Sequence, residues 1–466
     1  MDYKIVVNKD KFYDKNYFSN RELKVISNSL KEEFLLEKRT LKAYLLLKED
    51  LEKENIFIDI ISGYRSIEEQ EEIIDLYTDK YGSSYVNKYV AGVNTSEHHT
   101  GLCFDIGLII DNKLISDSKE LLTYDDIFQK IIDRLSKYGL ILRYPKDKEM
   151  ITKYNYEPWH YRYVGKSTAN IIKNSNLCLE EYDKLYKKSG VLIVNKPKDI
   201  TSRDVVNKVC DIFDTKKVGH NGTLDPMAEG VLVVTINKAC KINELLTSED
   251  KEYIASVKVG IETDTLDIEE KKIKKSNKKI TKEMVDNLFK TFPKKYLQEV
   301  PKYSAVKING KKLYDYARSD LDIKLPKREV LIKDLELLDY NNTSFIFRCV
   351  VSKGTYIRSL IRDMGDFLDI PCTMNSLIRT RQGKFLISDA ISLDKVNINS
   401  NLITIKDALD IPVIEIDNKD YNLISNGASI SNHYNIKDKV LFLKESNEIA
   451  IYKKDNDKLK CYKMLR

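Results

Sequence analysis

Two stretches of this 466-residue chain gather side chains whose types and spacing suit catalysis. The first is Ser96-Glu97-His98-His99-Thr100-Gly101-Leu102-Cys103-Phe104-Asp105, with Glu157-Pro158-Trp159-His160 downstream. Two imidazoles and a carboxylate make three ligands of a catalytic zinc site and leave the fourth position to water. A further carboxylate, three residues before the last histidine, is placed to act as general base on that water. A histidine and an aspartate seven residues apart also occur without a metal, so spacing alone leaves an ordinary pair open. The second stretch is Gly219-His220-Asn221-Gly222-Thr223-Leu224-Asp225-Pro226-Met227-Ala228-Glu229-Gly230. Its glycines permit tight turns and Pro226 pins φ directly after Asp225, so the carboxylate sits on a rigid loop. A fixed acid beside His220 is what nucleophilic or acid–base chemistry requires. Taken by themselves, an Asp-Pro turn is more often structural, Tyr253 reads as a core aromatic and Arg358 as a surface ion pair.

These residues need elements to hold them. A helical stretch from about Arg21 to Glu54 leads to a strand over Ile56–Ile61, and Ser66 with Glu69 forms a capping box that opens the next helix. Another helix near Tyr124–Tyr138 precedes Leu140–Arg143, and a polar helix over Ser167–Lys188 ends in a lysine-rich linker. A new pattern begins at Gly190 with a buried strand, Val191–Val194, then a helix capped near Thr201 or Ser202. Strands and helices continue to about residue 395. The lysine-rich run Lys271–Lys282 reads as a solvated loop rather than an RNA contact. From about Ile411 short alternating segments such as Val440–Leu443 and Ile449–Tyr452 point to a small β-rich module.

The second stretch resembles the catalytic motif of the bacterial tRNA pseudouridine-55 synthase (TruB) family. The likeness continues in order through Leu192–Pro197, Lys251-Glu252-Tyr253, Pro301-x-Tyr303-Ser304-Ala305-Val306-Lys307, Ser352–Leu360 and Leu377-x-Arg379-x-Arg381-x-Gly383-x-Phe385. It implies a mixed-sheet α/β synthase core over 189–395, followed by a β-rich, PUA-like, RNA-binding module over 410–466. It implies Asp225 as the catalytic carboxylate of a uridine isomerisation in the T-arm of tRNA, with no metal or nucleotide cofactor. Uridine in a folded loop is stacked and must be flipped out. Tyr253 then offers a ring to stack on the base. Arg358 can pair bidentately with Asp225, keeping it ionised and oriented in a dry pocket. His220 would help flip the base, Leu377 would line the pocket, and Lys196 falls among the substrate-binding positions.

The first stretch, with Ser62-Gly63-Tyr64-Arg65-Ser66, Gln70 and Arg143-Tyr144-Pro145, resembles VanY-type D-alanyl-D-alanine carboxypeptidases. The likeness implies an α+β zinc-peptidase domain over 1–186. His98, Asp105 and His160 would hold zinc and Glu157 would activate water. Arg65 would grip the terminal carboxylate of a D-Ala-D-Ala peptide or wall precursor, assisted by Gln70 and Ser96. His99 stands where the family usually has glutamine and is expected at the surface or behind the ligands. Cys103 replaces a small residue beside the zinc block.

Composition limits the rest. The chain is too long for one core. No run approaches the ~18 apolar residues of a membrane span, and the first residues lack a signal-peptide pattern. The seven cysteines show no framework spacing, which reads as a reduced, cytoplasmic protein. Residues 1–188 hold 30 Lys+Arg against 32 Asp+Glu, whereas the remainder holds 48 against 40. The basic part is the one expected to meet a polyanion. The leading expectation is therefore a bifunctional enzyme. The alternatives are an RNA-modifying enzyme whose peptidase-like part is a non-catalytic adaptor, and a tRNA-folding helper. Oligomeric state is not legible.

Overall fold

Alternation along one strand organises the first part of the chain. The computed structural model describes every residue except 1–2, 16–17, 85, 87–89, 248, 269–271, 305, 309, 319–322 and 466, so Ala305 and Lys271 of the motifs above lie outside the described residues. The chain divides into two compact units, Met1–Lys187 and Lys188–Arg466.

In the first unit the strand Cys103–Ile110 pairs antiparallel with Ile58–Ser62, Lys113–Ile115 and His160–Tyr163, and Leu140–Leu142 pairs with the last of these. Phe104, Ile106 and Leu108 point to one side, where they are fully buried, so Cys103 and Asp105 point to the other. The helices Lys38–Glu52 and Asp125–Leu135 cover the first side with Tyr44, Leu47, Leu51, Phe128 and Ile131. Each such side chain contributes about 1.5–3 kcal/mol relative to exposure, which makes this sheet a firm base for the opposite face.

Two expectations differ here. Residues from Arg21 on are not one helix: Leu23–Ser27 and Glu33–Glu37 form an antiparallel hairpin before the helix Lys38–Glu52. Asn28 turns the chain by accepting from the backbone N–H groups of Leu30 and Glu32, and the Glu37 carboxylate then caps the helix at Arg39 and Thr40. The closing helix is likewise two, Lys166–Asn174 and Leu179–Tyr186, separated where Asn176 takes a positive φ of 50°.

In the second unit a ten-stranded mixed sheet runs in the order Lys295–Glu299, Lys327–Asn341, Ser344–Val351, Lys251–Val259, Cys372–Gln382, Glu229–Ile236, Gly190–Lys196, Ile391–Ser392. Val218–Asn221 and Phe385–Leu386 are attached off this path. The strand Gly190–Lys196 is apolar on both faces because both are covered. Leu192 and Val194 join the core beneath the helices Ser202–Ile212 and Ile357–Leu368, while Val191 and Ile193 pack with Leu441, Leu443 and Ile451 of the C-terminal module. That module is a five-stranded sheet, Val413–Glu415, Lys439–Lys444, Asn447–Asp455, Lys458–Met464 and Ile430–Ser431. The fold class is the one expected: an α+β part, a mixed-sheet α/β core and a β-rich end. The lysine-rich run is not wholly a loop. Lys272–Lys275 pairs antiparallel with Ile261–Thr263, a short pairing made by the backbone and compatible with charged edge side chains.

Candidate active sites

In the first unit, strand register brings the candidate ligands together. His160 lies directly opposite Asp105 in the ladder, so both side chains rise from the same face. His98 comes from the 3-10 turn Glu97–Thr100, which Gly101 closes in the left-handed conformation at φ 69°. His98 Nδ1 lies 2.7 Å from the Gly63 carbonyl and must donate to it, which leaves Nε2 free, 3.4 Å from Asp105 Oδ2. His160 Nδ1 stands 2.9 Å from Asp105 Oδ1 and 3.6 Å from Glu157 Oε2. Yet Asp105 Oδ1, though buried, has no properly directed hydrogen bond among the described residues. Close approach without alignment suits donors that face a common third atom. Burial works against the Asp105 carboxylate, and His98 and His160 more than offset it, holding it below the usual range. Two imidazoles and a carboxylate converging in this way fit zinc. Glu157 is about a quarter exposed, on the open side, and burial of its carboxyl with Asp105 nearby pushes it up to about 7 against His160 and His98.

Behind this set lies a charge cluster that sequence reasoning missed. Glu97 is buried, and its Oε1 accepts from Arg143 Nε at 2.7 Å and Arg162 Nη1 at 2.6 Å. Its Oε2 stands 3.6 Å from His160 Nε2, the place of a carboxylate that orients a ligating histidine. Arg143 is also gripped by Glu180 at 2.9 and 2.6 Å. Glu97 sits between Ser96 and His98 in the motif itself, which was the available signal. Arg65 is held by Gln70 Oε1 at 2.8 Å and Ser62 Oγ at 3.1 Å, so Gln70 positions Arg65 through a direct bond. Ser96 is buried and precedes the turn without a side-chain cap bond. His99 is not at the surface: it is buried, with Nδ1 2.8 Å from the Arg65 carbonyl.

In the second unit Asp225 lies between the strands Val218–Asn221 and Glu229–Ile236. Arg358, near the start of the helix Ile357–Leu368, meets it with two contacts, Nε to Oδ2 at 2.8 Å and Nη2 to Oδ1 at 3.0 Å. Two of the three remaining guanidinium hydrogens go to the carbonyls of Thr265 and Tyr303, at 2.9 and 3.0 Å, so the fork is fixed from both ends. The arginine is buried, but the Asp225 side chain is 34% exposed, so its pocket is open rather than dry. Tyr253 is buried on the strand Lys251–Val259, and burial raises its phenol. Leu377 is buried on the neighbouring strand, opposite Ala255.

Arg379, two residues from Leu377, has its guanidinium carbon 6.0 Å from the Tyr253 ring centre and donates to the carbonyls of Val231 and Gly222 at 2.6 and 2.7 Å. It ties the aromatic to the Asp225 loop, a role the spacing Leu377-x-Arg379 contained but did not reveal. Gly222 must stay glycine there, because φ is +73° and a Cβ would come within 3.0 Å of both Arg379 Nη1 and Lys251 Cε. His220 is half-buried with Nδ1 unpartnered among the described residues, and burial lowers its pKa. Lys196 differs from the expectation of a substrate contact. Its ammonium is buried, pushed down to about 8 by burial, and donates to the carbonyls of Pro197, Ile200 and Pro226 at 2.7, 2.7 and 3.0 Å. All three hydrogens are used, so Lys196 fastens the turn that follows Asp225.

Seven cysteines are free thiols, and among the described residues no helix is long and apolar enough to cross a membrane. A family model described as TruB family pseudouridylate synthase (N terminal domain) matches residues 211–357, and one described as D-alanyl-D-alanine carboxypeptidase (VanY) matches 33–166. The tRNA pseudouridine synthase B of Geobacillus thermodenitrificans (strain NG80-2) is 40% identical over 255 residues, covering 51% of this chain and 84% of the relative. Among solved structures, the LdcB LD-carboxypeptidase is 35% identical, covering 38% of this chain and 84% of that one, at a TM-score of 0.35. The vancomycin-resistance D,D-pentapeptidase VanY, solved with Zn(II), is 28% identical, covering 39% and 99%, at a TM-score of 0.33. The chain belongs to the TruB family of pseudouridylate synthases, fused at its N-terminal side to a part, residues 33–166, that matches the VanY D-alanyl-D-alanine carboxypeptidase family model.

Proposed function

We propose that residues 189–466 isomerise a uridine in the T-arm of tRNA, at position 55, with Asp225 as the catalytic carboxylate and the module over 410–466 assisting in RNA binding. The bidentate Arg358–Asp225 pair on a pinned turn carries this reading. Isomerisation breaks the C1′–N1 bond, forms C1′–C5 and moves one proton from C5 to N1. It needs no redox partner or group donor, so no cofactor is invoked. Arg358 and Lys196 hold the carboxylate still, and its exposed side faces the flipped nucleotide. Tyr253, backed by Arg379, supplies the stacking surface lost on flipping. His220 and Leu377 bound the pocket. A tRNA substrate places this work in the cytoplasm. The test is Asp225→Asn with a tRNA transcript: pseudouridine formation should vanish, and continued conversion would refute the assignment.

In residues 1–186, His98 Nε2, Asp105 and His160 Nδ1 would hold zinc. When bound, the ion polarises a peptide carbonyl and makes its water acidic. Glu157, on the open side, would accept a proton at its carboxylate and so serve as the general base. Arg65, pre-set by Gln70 and Ser62, pairs with the terminal carboxylate of a peptide ending in D-alanine, and Ser96 supports the ligand turn. The zinc-loaded full chain should release D-alanine from D-Ala-D-Ala or a pentapeptide ending in it. The relative named for LD-carboxypeptidase activity makes a tetrapeptide ending in an L,D bond the third substrate to test. Release that persists in Glu157→Ala, or release from none of the three, would overturn the peptidase assignment.

A further inference from the structure

Cys103 is the residue of the peptidase unit that the proposed mechanism does not use. It is fully buried on the strand Cys103–Ile110, two residues from Asp105 and therefore on the same face. Its Sγ, one nitrogen of His98 and one of His160 all lie within 4.8 Å of one another. Bonds of ~2.0–2.1 Å to nitrogen and ~2.3 Å to sulfur set ligand atoms around a tetrahedral ion roughly 3.3–3.7 Å apart, so side-chain shifts of about 1 Å close the set. The sulfur approaches from the sheet, whereas Glu157 approaches from the exposed side.

We propose that Cys103 is a direct metal ligand, making this centre a two-histidine, aspartate and thiolate site. The inference rests on the metallopeptidase reading and changes what that site is. Cys103 would then hold the ion from the buried side, and Glu157 would face water or substrate from the exposed side. A soft sulfur donor also biases the site toward zinc and cobalt over manganese or magnesium.

The experiment loads metal-free full-length protein with one equivalent of Co2+ and records its absorption spectrum. A thiolate-to-cobalt charge-transfer band is expected in the near ultraviolet, and it should be absent from Cys103→Ala, which still binds Co2+ through His98, Asp105 and His160. X-ray absorption at the zinc edge of the wild-type chain gives the same answer without a variant: one sulfur neighbour at about 2.3 Å. Cobalt bound without the band, or a zinc shell of nitrogen and oxygen only, would overturn the thiolate ligand and leave the peptidase reading standing. Failure of both proteins to bind Co2+ would overturn the two together.

Discussion

Replacing Glu97 by glutamine tests whether the buried charge cluster holds the peptidase unit together. Glu97 faces two guanidinium groups, Arg143 and Arg162, and all three side chains are fully buried. Removing one partner of a buried ion pair costs about 3–5 kcal/mol, because the other charge stays in a low-dielectric place. The glutamine keeps an acceptor oxygen. Arg143 retains Glu180, and Arg162 retains the carbonyls of Tyr3 and Ile5 at 3.0 and 2.8 Å. Those remaining partners put the loss at the lower end, about 3 kcal/mol. At about 2–4 °C per kcal/mol for a unit of this size, its melting transition should fall by roughly 6–12 °C in calorimetry of the metal-free full chain. The acid limb gives an independent check. Burial would raise the Glu97 carboxyl, but Arg143 and Arg162 outweigh it and hold the group far below its usual range. A depressed carboxyl contributes stability that is fully present above its unfolded pKa of about 4.3. The gap between wild type and variant should therefore be flat from about pH 7 to about 5 and close by about 1.4 kcal/mol per pH unit below that. A shift under about 2 °C at neutral pH, or a gap that widens in acid, would refute the reasoning.

Other outcomes follow from the same geometry. Arg358→Lys substitutes a point charge for a planar fork and cannot keep two contacts to Asp225 while also reaching the Thr265 and Tyr303 carbonyls; kcat in a single-turnover pseudouridine assay should drop by roughly 10²-fold, with a smaller change in tRNA affinity. Gly222→Ala forces a Cβ onto a φ of +73° against Arg379 and Lys251, and should lower the stability of the synthase unit by about 1–3 kcal/mol, read as a fall in its denaturant midpoint. Chelation with EDTA should abolish D-alanine release and leave pseudouridine formation unchanged; equal loss of both would contradict a metal confined to the His98–Asp105–His160 site.

How much of this the sequence carried depends on how local each feature is. His98, Gly101 and Asp105 fall within eight residues, and a turn followed by a strand orients them with little help from elsewhere, so their grouping was legible. The Asp225 turn was legible for the same reason, since Gly222 permits the positive φ the turn needs and Pro226 fixes φ directly. What escaped was decided by distant partners. Nothing in the run around Glu97 says that Arg143 and Arg162 converge on it, and nothing around Lys196 says that three carbonyls absorb its ammonium. The hairpin over residues 23–37 escaped because Asn28 makes the turn through its side chain, while the surrounding apolar residues suit either period. Cys103 is intermediate. Period-two alternation already places it with Asp105, and only the position of His160 across the ladder turns that into proximity.

The chain uses one pairing, carboxylate against arginine, for two different ends, and burial separates them. Glu97 has both oxygens turned inward, toward arginines on one side and His160 on the other, and no part of it reaches solvent. Its charge can act only through the residues it touches, so its effect is to fix a histidine. Asp225 meets an equally rigid arginine but keeps a third of its side chain exposed. A carboxylate fixed in direction and still accessible can engage an incoming ribose or base, which a buried one cannot. The energetic difference points the same way. The arginine of this pair is buried while its carboxylate stays partly in solvent, so the pair stabilises less than the Glu97 cluster and holding Asp225 there serves orientation as well as folding. Substitution at Glu97 should therefore register chiefly in unfolding and metal affinity, whereas substitution at Asp225 should register chiefly in turnover, with a smaller fall in the melting transition from the buried Arg358 that loses its partner.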